Sequence, residues 1–179
     1  CTAIAQDTGM LMVSDTTFVT VTNAGPSVSN VLISSLGGYY NDQTLTCSAT
    51  VSDPDESLTP VFEWSDSSGS LGSGDFLDLT TTSLMPSDSV MCTVSAVDGY
   101  GLTAQASSQV TIDNRHPNSP TVTVSPLTPI PNVDDVTCTA SNLTDPDGQT
   151  VTIQSTSWSS DLGNSAVGPI LSSSSLTDQ

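Results

Sequence analysis

The chain lacks lysine altogether and has one arginine and one histidine among its 179 residues. Nineteen acidic residues leave a formal net charge of −18. A nucleic-acid binder needs a basic footprint, and docking on anionic lipid needs clustered Lys or Arg. Both partner classes are excluded. No apolar run approaches the ~20 residues that span a bilayer as a helix, so membrane insertion is not expected. Aromatic residues make up only 4% of the chain. The four cysteines, Cys1, Cys47, Cys92 and Cys138, form no C-x-x-C pair, so zinc-ribbon and thioredoxin-like chemistry lacks its ligands. The single histidine, His116, lies in "NRHP". No G-x-S-x-G elbow or Ser–His–Asp set can be built around it. "GSLGSG" (69–74) has glycines but neither a lysine nor a strand-to-helix setting, so it is not a phosphate loop. No enzyme is expected.

Ser and Thr together fill about a third of the chain. Such a composition is compatible with disorder, but the residue order argues for strands. In "TLTCSATV", Leu45, Cys47, Ala49 and Val51 share one parity, and Thr44, Thr46, Ser48 and Thr50 the other. In "DSVMCTVSAV", Val90, Cys92, Val94 and Ala96 alternate with Ser89, Met91, Thr93 and Ser95. Phe62 and Trp64 alternate with Val61 and Glu63. Period two with one apolar face means antiparallel strands that are half-exposed to water. Turn formers punctuate the runs at Asp53-Pro54-Asp55, Met85-Pro86-Ser87-Asp88 and Asp98-Gly99. Short strands at such spacing predict an all-β sandwich.

The cysteines also mark a period. Cys1 and Cys92 are 91 residues apart, and so are Cys47 and Cys138. Without gaps, "CTAIAQDTGMLMVSDTTFVTVTNAGP" lies over "CTVSAVDGYGLTAQASSQVTIDNRHP", matching Asp7 to Asp98, Leu11 to Leu102, Asn23 to Asn114 and Pro26 to Pro117. "LTCSATVSDPD" (45–55) matches "VTCTASNLTDPD" (136–147) with one inserted residue, and Trp64 matches Trp158. Internal periods of this kind mark tandem modules. Wide cysteine spacing in an acidic, lysine-free chain points to disulfides and an oxidising, extracellular or cell-surface location.

These motifs, "LTCSATVSDPD", "EWS…LGSG", "VMCTVSAVDGYG" and the joint "VTVTNAGPSV", resemble the tandem immunoglobulin-like repeats, PKD-type and cadherin-like, of bacterial and archaeal surface proteins. The order Cys47, Trp64, Cys92 is the Cys…Trp…Cys order of such a sandwich. The resemblance implies a Cys47–Cys92 bridge between the sheets, with Trp64 and Trp158 as core residues. It departs from antibody domains at the tyrosine corner, where Val90 stands two residues before Cys92. In this frame 23–113 is a complete module. Residues 1–22 are strands F and G that complete a module of a neighbouring copy. Residues 114–179 are an incomplete module, strands A to E, completed by another copy.

Cys1 and Cys138 are then expected to pair between neighbouring copies. Five residues from Val21 to Pro26 span at most ~17 Å, too little to carry the hairpin past an intact module. A lipid-bearing Cys1 and a free surface thiol are the competing readings, and neither accounts for the 91-residue register. The same register suits one long covalent chain or subunits that exchange strands. The expected function is structural: an extracellular filament, stalk or adhesin shaft of head-to-tail beads. The alternative is a carbohydrate- or protein-binding module of a secreted adhesin or enzyme. No cofactor is required, with Ca²⁺ as the exception to test. The acidic turns Asp53-Pro54-Asp55-Glu56 and Asp145-Pro146-Asp147, with Asp98 or Asp7 near a joint, offer the hard oxygen ligands Ca²⁺ takes. Asp and Pro are equally ordinary turn formers. Asn142-Leu143-Thr144 is an N-x-T acceptor sequence for glycosylation.

Overall fold

The computed structural model describes residues 1–161 and 163–176. The fold is all-β, with every strand pairing antiparallel. The strands are β1 (Thr2–Gln6), β2 (Met12–Thr16), β3 (Ser27–Ser34), β4 (Thr44–Ser52), β5 (Val61–Ser65), β6 (Ser70–Ser73), β7 (Phe76–Asp78), β8 (Ser89–Val97) and β9 (Thr103–Thr111). They continue with β10 (Thr121–Ser125), β11 (Val136–Ser141), β12 (Ser157–Ser159), β13 (Ser165–Val167) and β14 (Ile170–Leu171). Among the described residues no helix is long and apolar enough to cross a membrane.

The centre of the molecule is a pair of sheets, β3-β4-β7 and β6-β5-β8-β9. Their inner faces follow from alternation. On β8, Val90, Cys92, Val94 and Ala96 are buried while Met91 and Val97 are exposed. On β4, Leu45 and Cys47 are buried. Ile33, Leu77, Leu79, Leu84 and Ile112 close the same core. Cys47 on the first sheet is bonded to Cys92 on the second, across a Cα–Cα distance of 6.5 Å. Trp64 lies directly opposite Cys92 in the β5–β8 register and is fully buried. Its Nε1 donates to the Gly74 carbonyl at 2.8 Å, so the one polar atom of the ring is satisfied. Leu79 reaches the core from a single 3-10 turn, which the Asp78 carboxylate caps by accepting from Thr80 N at 3.0 Å. Asn30, at φ 52°, occupies the irregularity between Ser29 and Leu32 on β3, a conformation Asn tolerates better than most residues.

Two further pieces flank this pair. The hairpin β1–β2 runs from Thr2 opposite Thr16 to Gln6 opposite Met12. The hairpin β8–β9 contains the same register, from Thr93 opposite Ser107 to Val97 opposite Thr103. Their turns also match. Asp7 Oδ1 accepts from Gly9 N and Leu11 N, and Asp98 Oδ1 accepts from Tyr100 N and Leu102 N. Unlike β8, every residue of β1 and β2 is exposed.

On the C-terminal side, β10-β11-β14 and β12-β13 repeat the pairings of β3-β4-β7 and β5-β6. Val124 lies opposite Cys138 as Ile33 lies opposite Cys47. Val136 faces Leu171 as Leu45 faces Leu77. Trp158 faces Ala166 as Trp64 faces Gly72. Among the described residues nothing corresponds to β8 or β9 there. Accordingly Val124 is 37% exposed, against 2% for Ile33.

The Cys47–Cys92 bond closes a segment with a sequence separation of 45. In the chain-entropy account such a loop contributes about 4 kcal/mol. Reduction, or Cys47→Ala, is expected to lower the melting temperature by roughly 15–25 °C. Superimposable calorimetric melts with and without reductant would show that the sheets hold together without it.

Candidate functional site

Two joints, where β-sheet chain passes from one piece to the next, carry clusters of side-chain hydrogen bonds between residues far apart in sequence. Each is built on an acidic turn whose aspartate side chains take up backbone amides. In the first, Asp53 Oδ1 accepts from Asp55 N at 2.8 Å and from Glu56 N at 3.3 Å. Asp55 Oδ2 accepts from Ala24 N at 2.6 Å, tying the linker to the turn. In the second, Asp145 Oδ1 accepts from Asp147 N at 2.8 Å and Asp147 Oδ2 from Arg115 N at 2.6 Å. Pro at the centre of each turn presets φ, and the flanking Asp residues form the side-chain-to-backbone turn.

The joints differ in how they neutralise charge. At the second, Arg115 supplies a resident cation. Its Nε donates to Asp147 Oδ1 at 2.8 Å, Nη1 to Asp42 Oδ2 at 2.9 Å and Nη2 to the Pro146 carbonyl at 3.1 Å. Nη2 is also 2.8 Å from Asp147 Oδ1. The guanidinium lies 4.7 Å from the centre of the Tyr40 ring, a cation–π distance. Asn41 Nδ2 donates to the Asp147 carbonyl at 2.9 Å. Asp147 is only 2% exposed. Asp42 raises the Arg115 pKa most, burial opposes it, and Asp147 adds to the rise. The Asp42 carboxyl is lowered, first by Gln43 and then by Arg115. The loop carrying Tyr40, Asn41 and Asp42 thus grips the acidic turn of the C-terminal piece.

At the first joint no side-chain cation is present among the described residues. Asp53, Glu56 and Asp98 bring carboxylate oxygens within 4.8 Å of one another. Gly99 N donates to Glu56 Oε1 at 2.7 Å, and Asn23 Nδ2 to Asp98 Oδ2 at 2.6 Å. The buried oxygens Asp53 Oδ2 and Asn23 Oδ1 have no hydrogen-bond partner among the described residues. Burial works to raise the Asp98 pKa, but the hydrogen bonds from Asn23, Leu102, Tyr100 and Gly101 outweigh it and hold the carboxyl below its usual value.

Of the four aspartates singled out for Ca²⁺, Asp53 is the one in this group; Glu56 and Asp98 are its companions. Asp55 accepts the linker amide, Asp145 holds its own turn, and Asp147 is taken by Arg115. Asp53, Glu56 and Asp98 are the residues with the oxygen chemistry for a hard cation.

Trp158 is half-buried, and its Nε1 donates to the Gly168 carbonyl at 2.9 Å, as Trp64 donates to Gly74. In front of it opens a groove of about 410 Å³ lined by Pro131, Ala166, Leu171 and Leu176. Cys1 and Cys138 are free thiols in the single chain, Cys1 exposed and Cys138 half-buried. Asn142 is exposed at φ 56°, with its Nδ2 donating to Thr121 Oγ1 at 2.8 Å. His116 is exposed. The clasp around Arg115 was not anticipated from the sequence. Its signal was the one arginine of the chain standing where the matching joint has Ala24. No protein-family model and no curated protein matches the sequence.

Two outcomes test these joints. Because the folded Asp98 carboxyl titrates below its reference of 3.8, the unfolded chain binds more protons in that range. The stability it contributes is present above about pH 4 and is lost as pH falls through the folded pKa. The melting temperature is expected to drop below about pH 4, less steeply in Asp98→Asn; equal slopes would separate Asp98 from the acid transition. Arg115→Ala leaves Asp147 buried without its partner, a defect of about 3 kcal/mol at the joint. Protease cleavage within 113–118 is expected to quicken in that variant. Arg115→Lys should restore it only in part, since an ammonium lacks the planar fork. Cleavage at the parental rate in Arg115→Ala would mean the clasp does not order the joint.

Proposed function

We propose that the protein is a structural component of an extracellular filament, stalk or adhesin shaft, made of immunoglobulin-like sandwiches in tandem with a period of about 91 residues. In this reading 23–113 is the complete bead, 1–22 are the last two strands of another bead, and 114–179 begin a third. The observation that supports it most is the shared strand register. The hairpin β1–β2 pairs as β8–β9 does, and β10 to β14 pair as the first five strands of the central sheets do. Pieces of one repeated bead account for that coincidence with no further assumption.

The mechanical logic follows from the same residues. A disulfide across the sheets limits how far a stretched bead can extend. A joint closed by Arg115 on Asp42 and Asp147 resists bending. A surface at net charge −18, rich in Ser and Thr, stays hydrated and repels lateral neighbours. The disulfide and the lack of a membrane-crossing helix among the described residues fit a secreted or surface protein.

Immunogold electron microscopy of intact cells that make the protein tests the reading. Gold along surface filaments or shafts is the expected result. Label confined to the cytoplasm would overturn it.

A further inference from the structure

We propose that Asp53, Glu56 and Asp98, together with Asn23 of the linker, bind one calcium ion that fastens the linker to the central sandwich. The proposal goes beyond the filament reading and does not rest on it.

The four side chains come from three separate segments. Asp53 and Glu56 stand in the turn after β4, Asp98 in the turn after β8, and Asn23 in the chain that leads into β3. Asp53 and Asp98 each lie six residues beyond a cysteine of the Cys47–Cys92 bond. Their oxygens meet again at the cluster. The two strands therefore run together from the bond to the site, and the covalent link holds the two carboxylates as a pair.

Three observations point to a cation. The first is spacing. Oxygens that share one Ca²⁺, each about 2.4 Å from it, lie within about 5 Å of one another. Asp53, Glu56 and Asp98 each offer one oxygen inside 4.8 Å. The second is a pair of unmet acceptors. Asp53 Oδ2 and Asn23 Oδ1 are buried atoms with no hydrogen-bond donor among the described residues, a costly condition, more so for a charged group. The other atom of each group is committed. Asp53 Oδ1 accepts from Asp55 N and Glu56 N, and Asn23 Nδ2 donates to Asp98 Oδ2 at 2.6 Å. That last bond puts Asn23 Oδ1, on the same amide carbon, beside the Asp98 carboxylate.

The third is charge. Asp98 is buried, yet its hydrogen bonds keep it ionised. Around it and Glu56 stand amide donors only. The second joint shows how the fold treats such charge. There Arg115 stands where the first joint has Ala24, and its guanidinium binds Asp147. A bound cation does at the first joint what arginine does at the second.

The ligand set favours calcium over magnesium. Mg²⁺ demands a near-octahedral set at about 2.1 Å, whereas Ca²⁺ takes six to eight oxygens in flexible geometry. Glu56 is exposed, which leaves room for water to complete the shell. Asn23 precedes Ala24, whose amide Asp55 already holds. An ion on Asn23 pins the linker at a second point.

The test is calcium titration of the full 179-residue chain, disulfide intact, in about 0.15 M salt. It is read by isothermal calorimetry and by melting temperature against a chelator. One site per chain is expected, with a Kd of about 10⁻⁴–10⁻³ M, the range of extracellular modules. At ten times Kd the melting temperature should rise by about 5–10 °C, and protease cleavage within 21–26 should slow. Magnesium at the same concentration should leave the melt near its chelator value. Glu56→Gln and Asn23→Ala should each weaken calcium binding about tenfold or more. Asp145→Asn, at the matching turn of the second joint, should bind as the parent does. Superimposable melts in calcium and chelator with a flat titration overturn the proposal. So does an equal shift with magnesium, or parental affinity in Glu56→Gln, since each means diffuse attraction to an acidic surface. Glu56→Gln keeps the shape of an exposed side chain, so its result is free of folding defects. Each of these failures leaves the filament reading standing, because its immunogold test needs no calcium.

Discussion

The bond between Cys47 and Cys92 is the contact on which the other features depend. A chain with 4% aromatics and about a third Ser and Thr has few large side chains with which to hold two sheets together. Its core is a modest set of Ile, Leu and Val around a single tryptophan. The disulfide joins β4 to β8 through that core and removes about 4 kcal/mol of the entropy the unfolded chain would otherwise keep. With β8 fixed between β5 and β9, the Asp98 turn at its end is delivered to the first joint. The polar cluster thus sits at the end of the strand that carries the covalent link.

Acidity sets the second constraint. Nineteen carboxylates repel one another, and a compact chain must keep them apart or neutralise them. Most do the former, on turns where each accepts one or two backbone amides. Asp147 is buried; it accepts a backbone amide as well, and the one arginine is spent on it. That pairing also recruits Asp42 and Tyr40 from the neighbouring loop, so neutralising a buried charge and closing the joint are one event. At the other joint Asp53, Glu56 and Asp98 crowd together with only amide donors around them. The two joints are therefore unequal in chemistry although their acidic turns are built alike.

Much of the strand pattern was legible because it is local. The alternation of Leu45, Cys47, Ala49 and Val51, or of Val90, Cys92, Val94 and Ala96, needs no knowledge of what lies opposite. The Asp-Pro-Asp turns were legible for the same reason, their hydrogen bonds spanning two or three residues. The joints were not. Arg115 meets Asp42 across 73 positions, and Asn23 meets Asp98 across 75. Nothing in "NRHP" or "NAGP" names those partners. Trp158 illustrates the middle case: its place on a strand was readable, but that it lies half-covered beside an open groove was not.

By itself the sequence determined the all-β character, the inward parity of each strand and the turns, because a two-residue period and a short polar loop are decided by neighbours along the chain. It also contained the 91-residue spacing of the cysteines. The Cys47–Cys92 bridge was implied by the resemblance to immunoglobulin-like repeats and is formed in the structure, whereas only the tertiary structure decided that Arg115 locks one joint. It alone decided that Asp53 gathers Glu56 and Asp98 instead of Asp55. Those outcomes depend on which surfaces pack together, and packing is a property of distances in space that adjacency in sequence does not encode.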